Sequence, residues 1–331
     1  MKIAFFSTKP YDERFFNTAN QSLNYTFQYF EPHLNAQTAS LAKGCEVACA
    51  FVNDTLDKET IEILASSGIR HIALRCAGYN QVDLKTAEAH KILVSRVPAY
   101  SPHAVAEHTL ALMLALNRKV HRAHSRIREG NFALDGLLGY DIYGLTAGII
   151  GTGKIGINVV RILQGFGCEV LAYDPYPNSE CEQLGARYVS IEELLSRSHI
   201  VSLHCPLTPE SHHLVNDQTI AVMKDGVTLI NTSRGGLIDT PAVIRGLKSA
   251  KIGYLGLDVY EEESDLFFED LSNQVIQDDI FARLTTFPNV IITGHQAFFT
   301  GEAFRNIADT TLANIREYKE TGQCNNCIHS P

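Results

Sequence analysis

Residues 147–156 read AGIIGTGKIG. Gly151, Gly153 and Gly156 fall as G-x-G-x-x-G directly after an apolar run that reads as a strand and directly before KIGINVVRILQGF, which reads as a helix. In such a turn the first glycine permits the tight bend, the second lets the backbone approach a pyrophosphate, and the third lets the helix pack close on the strand. The phosphates then lie at the helix N-terminus. The pattern alone is weak, but here the context is right on both sides. A turn of this kind opens a domain, yet nearly half the chain precedes it, so something folded must come first.

Upstream, short apolar runs alternate with helix-length segments: IAFFST at 3–8, EVACAFV at 46–52, HIALRCAG at 71–78 and ILVSRVP at 92–98. Such alternation predicts a parallel α/β sheet. From Ser101, a plausible N-cap with Pro102 behind it, to Gly130 the pattern predicts one unusually long helix. Its apolar stripe reads as packing, with a subunit contact as one use. Downstream the alternation restarts with TAGIIG, EVLAYD, HIVSLHC, VTLINT, YLGLDV and NVIITG, six strands with crossover helices and a capping box in SIEE at 190–193. The segment after NVIITG is too short for a third domain and reads as a single helix, with the option of returning to the first.

The expected architecture is α/β, with two doubly wound parallel-sheet domains and a cleft between them. Residues 1–100 plus 296–331 form the first domain, and residues 101–295 form the dinucleotide domain.

Asp174 ends the strand after the glycine turn, 23 residues beyond Gly151. A carboxylate there accepts hydrogen bonds from ribose hydroxyls and repels a 2′-phosphate, which predicts NAD rather than NADP.

Composition narrows the field. The chain has 331 residues, 28 Lys and Arg against 37 Asp and Glu, and a formal net charge of -9, which is no nucleic-acid footprint. No run approaches the roughly 18 apolar residues of a membrane span, so a cytoplasmic protein is expected. The 8 cysteines are scattered and expected as free thiols. Cys324 and Cys327 form a CxxC, but only His329 lies nearby and a zinc site wants four ligands, so no metal is expected.

Three segments place polar residues past predicted strands, where open α/β sheets bind ligands. NTSRGGLID offers Arg234, DVYEEESDLFFED offers Glu261, Glu262 and Glu263, and TGHQAF offers His295. Each has a dull alternative, respectively a loop cation, a solvated acidic run and a core histidine. Their recurrence at one sheet edge favours chemistry.

The strings GTGKIG, HCPLTPE, NTSRGGLID, DVYEEE and GHQAF, with RCAGYNQVD and VPAYSPHAVAEH upstream, closely resemble the D-isomer-specific 2-hydroxyacid dehydrogenase family. The likeness runs from the first residues past 310, and within the family it is greatest to the branch that reduces pyruvate to D-lactate in bacterial fermentation. It implies a flavodoxin-like substrate and catalytic domain, to which the C-terminal helix returns, and a Rossmann NAD-binding domain. It also implies NADH-dependent, reversible reduction of pyruvate.

In the family the catalytic acid is the third after DVY, here Glu263, which leaves Glu261 and Glu262 to the solvated run. A histidine, titrating unperturbed near roughly pH 6.5, suits the proton transfer assigned to His295, and Arg234 offers a fork for the substrate carboxylate. The resemblance assigns substrate binding also to the backbone N–H groups of Ala77 and Gly78, to Tyr100 and to position 299. Phe299 stands there, where some lactate enzymes carry Tyr. Arg75 has structural pairing as its main rival role. For NAD the resemblance implies Gly151, Gly153, Lys154, Ile155, Gly156, Asp174, Cys205, Pro206, Thr232, Ser233, Arg234 and Asp258, with Asp258 at the nicotinamide amide and Cys205 as a wall rather than a nucleophile. A homodimer or homotetramer is implied as well. The alternatives are a dehydrogenase for another 2-oxo acid, small or bulkier, and a non-enzymatic NADH sensor of the corepressor type.

Overall fold

The computed structural model describes residues 1–263 and 266–330. Its contacts divide the chain into two compact units, Met1–Ser101 with Phe299–Pro331, and Pro102–Phe298.

The first unit begins with strands β1 (Lys2–Phe5), β2 (Thr26–Tyr29), β3 (Val47–Ala50), β4 (His71–Leu74) and β5 (Leu93–Ser95), with helices α1 (Pro10–Ala19), α2 (Lys58–Ser66) and α3 (Leu84–Ala89) among them. These strands pair in parallel in the order β5-β4-β3-β1-β2. Every residue of β3 and β4 is buried, as expected of strands covered by helices on both faces. The order reverses between β1 and β3, and the loops past the C-terminal ends of strands at such a reversal are where open α/β sheets take ligands.

The second unit opens with α4 (Pro102–Arg118) and α5 (Val120–Arg128). The single long helix expected there is broken: Lys119 takes a left-handed conformation, φ 50°, and the chain restarts in a new direction. Then follow β6 (Thr146–Ile150), α6 (Lys154–Gly165), β7 (Glu169–Tyr173), α7 (Ser179–Gln183), β8 (Arg187–Tyr188), α8 (Ile191–Arg197), β9 (Ile200–Leu203), α9 (Asp217–Val222), β10 (Val227–Asn231), α10 (Thr240–Lys248), β11 (Ile252–Leu257), α11 (Asp279–Thr285) and β12 (Val290–Ile292).

The sheet runs β12-β11-β10-β9-β6-β7-β8, all parallel. Period-two alternation divides its side chains between two cores. Ala147, Ile149, Val170, Ala172 and Ile200 pack with α4 and α6, whereas Ile150, Leu171, Val201, Leu203 and Leu229 pack with α8, α9 and α10. Ser190 caps α8 by accepting from the Glu193 N–H.

The chain then returns to the first unit. The helix expected from residue 295 onward starts later, as α12 (Gly301–Thr321), because Thr300 caps it by accepting from Ala303 N–H. It packs on α1 and β4. Gly322, at φ 76°, ends it, and β13 (Cys327–Ile328) adds to β5 as an antiparallel edge strand that the sequence pattern did not announce. The Cys324 and Cys327 sulfurs are bonded to each other, against the expectation of free thiols. The other six cysteines are free.

Candidate active site

The glycine turn after β6 is fixed by backbone crowding. Gly151 has φ 96°, a left-handed value that costs glycine little. A Cβ at Gly156 would overlap the Gly151 carbonyl oxygen, so helix and turn are in backbone contact. A Cβ at Gly153 would meet nothing within 4 Å, so the space in front of the α6 N-terminus, flanked by Lys154 and Ile155, is open. That crowding behind and openness in front fit a dinucleotide pyrophosphate.

Asp174 follows β7, and its Oδ2 accepts from the Thr152 N–H at 2.7 Å and the Thr152 hydroxyl at 3.2 Å. The carboxylate therefore braces the turn it faces. A surface groove of about 510 Å³ is lined by Thr152, Gly153, Asp174 and Tyr176–Ser179.

Past β9, burial pushes the Cys205 thiol up to about 11, which suits a wall and not a nucleophile. Pro206 next to it is exposed. The Cys205 carbonyl accepts from Ser233 Oγ at 2.7 Å, and Thr232 Oγ1 meets Thr109 Oγ1 at 2.9 Å, so the loops after β9 and β10 are tied together and to α4.

Arg234 lies just past β10. Its Nη1 donates to the Ser233 carbonyl at 2.7 Å, and among the described residues it forms no ion pair. Gly235 beside it is pressed against the loop after β11, where a Cβ would overlap the Tyr260 carbonyl group and the Glu261 N. The segments carrying Arg234 and Glu263 are thus in main-chain contact.

Glu263 and His295 meet directly, Oε1 to Nδ1 at 2.8 Å, and the other carboxylate oxygen accepts from Tyr260 N–H at 3.0 Å. The two side chains are 18% and 13% exposed, dry enough to strengthen the pair. His295 sits at φ 50°, a left-handed conformation a non-glycine residue adopts at a cost of about 1 kcal/mol or more.

Asp258 holds it there. The Asp258 carbonyl accepts from His295 N–H at 2.7 Å, and its buried carboxylate accepts from Thr293 Oγ1 and from the N–H groups of Gln296 and Ala297. Asp258 is thus the brace of the histidine loop, a role compatible with the contact to the nicotinamide amide expected of it. His108 reaches the same brace, 3.0 Å from Thr293 Oγ1.

Glu261 departs from the solvated run expected for it: it bonds His213 Nε2 at 2.7 Å and the Thr240 N–H at 2.9 Å. Glu262 is exposed. Phe298 and Phe268 place their rings 6.4 and 5.8 Å from the His295 ring.

In the first unit, the loop after β4 carries Ala77 and Gly78. Their carbonyls are held, Ala77's by Arg96 Nη1 at 3.0 Å and Gly78's by the Cys76 thiol at 3.2 Å. Among the described residues neither of their N–H groups meets an acceptor. Two adjacent N–H donors on a pinned backbone are suited to a carboxylate.

Arg75 at the base of this loop is buried, donates to the Ser7 carbonyl at 2.8 Å, lies 3.3 Å from Asp12 and is sandwiched by the rings of Phe5 and Phe51. That is structural pairing. The Tyr100 carbonyl accepts from Asn306, and Phe299, 51% exposed, packs edge-on to Tyr11 and Phe304. Sequence reading missed Arg96, the Asp258 brace and the His213–Glu261 pair. The signal for Arg96 in the sequence is a polar residue directly after the buried end of a strand, β5.

Residues 110–297 match the NAD-binding domain of the D-isomer-specific 2-hydroxyacid dehydrogenases. Over 99% of both chains this protein is 56% identical to a 2-hydroxyacid dehydrogenase homolog of Haemophilus influenzae. It is 52% identical to the D-lactate dehydrogenase of Escherichia coli, across 98% of this chain and 99% of that one. The apo-structure of D-lactate dehydrogenase from Escherichia coli superposes with a TM-score of 0.91 at 48% identity, covering 99% of this chain and 100% of the other.

Proposed function

The chain belongs to the D-isomer-specific 2-hydroxyacid dehydrogenases, NAD-dependent enzymes, and from that premise we propose that it reduces pyruvate to D-lactate, reversibly, with His295 as the acid and base. The observation that carries this reading is the 2.8 Å His295–Glu263 pair in the same unit as an Arg234 that forms no ion pair among the described residues.

Reduction of a 2-oxo acid needs a hydride at the carbonyl carbon, a proton at its oxygen and a grip on the carboxylate. NADH, when bound, supplies the hydride. The turn at Gly151, Gly153 and Gly156, with Lys154 and Ile155, would hold its pyrophosphate, and Asp174 its ribose. Cys205, Pro206, Thr232 and Ser233 would line the rest.

Glu263 fixes Nδ1 and so orients the ring, leaving Nε2 of His295 to give its proton to the carbonyl oxygen. Arg234 takes the substrate carboxylate and neutralises charge developing on the oxygen. The N–H groups of Ala77 and Gly78 form a second carboxylate grip. Tyr100, Phe298 and Phe299 supply the bulk that restricts the substrate side chain to little more than a methyl group. In this reading residues 1–100 and 296–331 are the substrate domain and 101–295 the NAD domain.

The same reading takes the protein as a cytoplasmic homodimer or homotetramer. Val120, Ile127, Phe132, Leu134 and Leu138, all more than half exposed on α5 and the segment after it, support a second copy as their cover. No described helix is long and apolar enough to cross a membrane.

The deciding experiment is NADH oxidation with pyruvate, 2-oxobutyrate, hydroxypyruvate, glyoxylate and phenylpyruvate, with the product enantiomers resolved. Pyruvate is expected to give the highest kcat/KM and D-lactate the product, with 2-oxobutyrate slower by roughly 10-fold, the scale of one methylene in a tight pocket. L-lactate would overturn the family chemistry for this chain, and phenylpyruvate ahead of pyruvate would overturn the small pocket.

Cofactor choice gives a second expectation. Because Asp174 also braces Thr152, Asp174→Asn is the informative change: it keeps an acceptor for the turn and removes the charge. NADH should be strongly preferred by the unmutated enzyme, and the variant should narrow the kcat/KM ratio by roughly tenfold or more, the scale of one screened charge contact. Equal use of NADPH before mutation would contradict the role of Asp174.

A further inference from the structure

The bonded pair Cys324–Cys327 has no place in the reaction, yet it stands at one end of a continuous series of contacts that ends on Gly78. Both cysteines are half-buried, and they line a surface groove of about 530 Å³, with room for a small solute, together with Glu88, Val94, Tyr318 and His329. The remaining thiols are shielded. Burial pushes Cys45, Cys168 and Cys181 up, Cys49 to about 12 and Cys205 to about 11, which removes the reactive thiolate, and Cys76 is buried. Thiol exchange in this chain is concentrated at the C-terminal pair.

From the pair the contacts run inward. Cys327 opens β13 and pairs with Ser95 of β5. Asn326, inside the four-residue ring, accepts from the Arg96 N–H at 3.1 Å. The Asn326 side chain donates to Asn314 Oδ1 at 2.9 Å, and Asn314 Nδ2 donates to the Arg96 carbonyl at 3.0 Å. Both main-chain polar groups of Arg96 are therefore held by the ring and by the α12 residue bonded to it.

The Arg96 guanidinium lies 5.0 Å from the centre of the Tyr79 ring and donates to the Ala77 carbonyl. That carbonyl and the Gly78 N–H belong to one planar peptide unit, so gripping the oxygen aims the N–H in the opposite direction.

We propose that Cys324–Cys327 is a thiol-exchange site for low-molecular-weight thiols, and that its redox state sets how firmly Arg96 aims the Gly78 N–H at the substrate carboxylate. The inference rests on the reading of Ala77 and Gly78 as a substrate grip. In the exchange a thiolate attacks one cysteine sulfur. The protein S–S bond breaks, its electron pair leaves on the other sulfur, and that sulfur takes a proton from water. A second thiolate attacks the mixed disulfide, releasing the solute disulfide and the remaining cysteine thiol. Two solute thiols are oxidised to one disulfide and the protein disulfide is reduced to two thiols. With the ring open, Asn326 regains backbone freedom and its hold on Arg96 slackens. Arg96 acts as a positioning residue.

The test compares full-length enzyme equilibrated with oxidised or reduced glutathione, reading kcat, KM for pyruvate (or for the best 2-oxo acid of the panel), KM for NADH, thiol count by alkylation and mass, and amide exchange of residues 75–79. Reduction is expected to add two alkylated thiols, to speed exchange at 75–79, and to raise the oxo-acid KM by roughly two- to tenfold, about the net worth of one hydrogen bond. The kcat and KM for NADH should stay level. Cys324→Ser with Cys327→Ser should lock the reduced-state KM and ignore glutathione. Arg96→Met should raise KM in both states and abolish the difference, while Arg96→Lys restores part of it. No reversible change of two thiols overturns the exchange site, and equal amide exchange in the two states overturns the coupling to Gly78. Faster amide exchange with an unchanged KM overturns instead the assignment of Ala77 and Gly78 as the substrate grip, and leaves the coupling standing.

Discussion

His295→Ala is expected to lower kcat for 2-oxo acid reduction by roughly 10²- to 10⁴-fold, the usual worth of a positioned general acid, with NADH binding little changed. The effect should be large because His295 is the imidazole that Glu263 holds in place, Oε1 to Nδ1 at 2.8 Å. Glu263 is an acceptor already committed to Tyr260 N–H and to His295 itself. Glu263→Gln is the graded companion: it keeps a hydrogen-bonding group beside Nδ1 but removes the charge, and a kcat loss of roughly tenfold or more is expected. Steady-state rates, with the NADH dissociation constant measured by fluorescence, check both. A His295→Ala variant within tenfold of the unmutated kcat would remove His295 from the chemistry.

The second large effect is structural in origin. Gly235→Ala adds one methyl, but that methyl would overlap the Tyr260 carbonyl and the Glu261 N, and main chain cannot rotate aside as a side chain can. Overpacking of this kind costs about 1 to 3 kcal/mol and more when backbone must move. The displacement falls between the segments that carry Arg234 and Glu263, so kcat/KM should drop with stability. Gly153→Ala is the contrast, since its methyl meets nothing within 4 Å; it should fold normally and weaken NADH binding instead. Thermal unfolding midpoints and NADH titrations on the two variants decide the matter. A Gly235→Ala enzyme with an unchanged midpoint and full activity would show that the two loops yield freely.

The parts of this molecule that were legible in the sequence share a physical signature. Strands stood out where they are buried on both faces, as VACA and HIAL are, because strands covered by helices on both sides read as near-continuous apolar runs. The edge strands β2, β8 and β13 did not: TFQY at β2 is exposed or half-buried throughout, and β8 and β13 have two residues each. The break at Lys119 was unreadable because an ordinary lysine, not glycine or proline, takes the left-handed conformation. Its ammonium group donates to the Asn117 and Leu138 carbonyls, contacts no local pattern encodes. In the candidate site, the segments bearing Arg234, Glu263 and His295 were conspicuous as polar residues following apolar runs. The bracing by Asp258 and Arg96 was not, since each works on main-chain groups brought near by tertiary packing, and main chain has no letter in a sequence.

The chain leaves the first unit at residue 101 and comes back at 299, and this detour sets an order of assembly during synthesis. Residues 102–298 are contiguous, so that unit can close its core as soon as β12 has left the ribosome. The first unit cannot. Phe304, Ile307, Leu312 and Ile315 of α12 are buried, and the helix packs on α1 and β4, so the partners it covers wait uncovered until roughly 200 further residues are made, about 10 to 40 s at 5 to 20 residues per second. The part of the protein synthesised first is therefore completed last, and over that interval it is the nascent unit with apolar surface to shield.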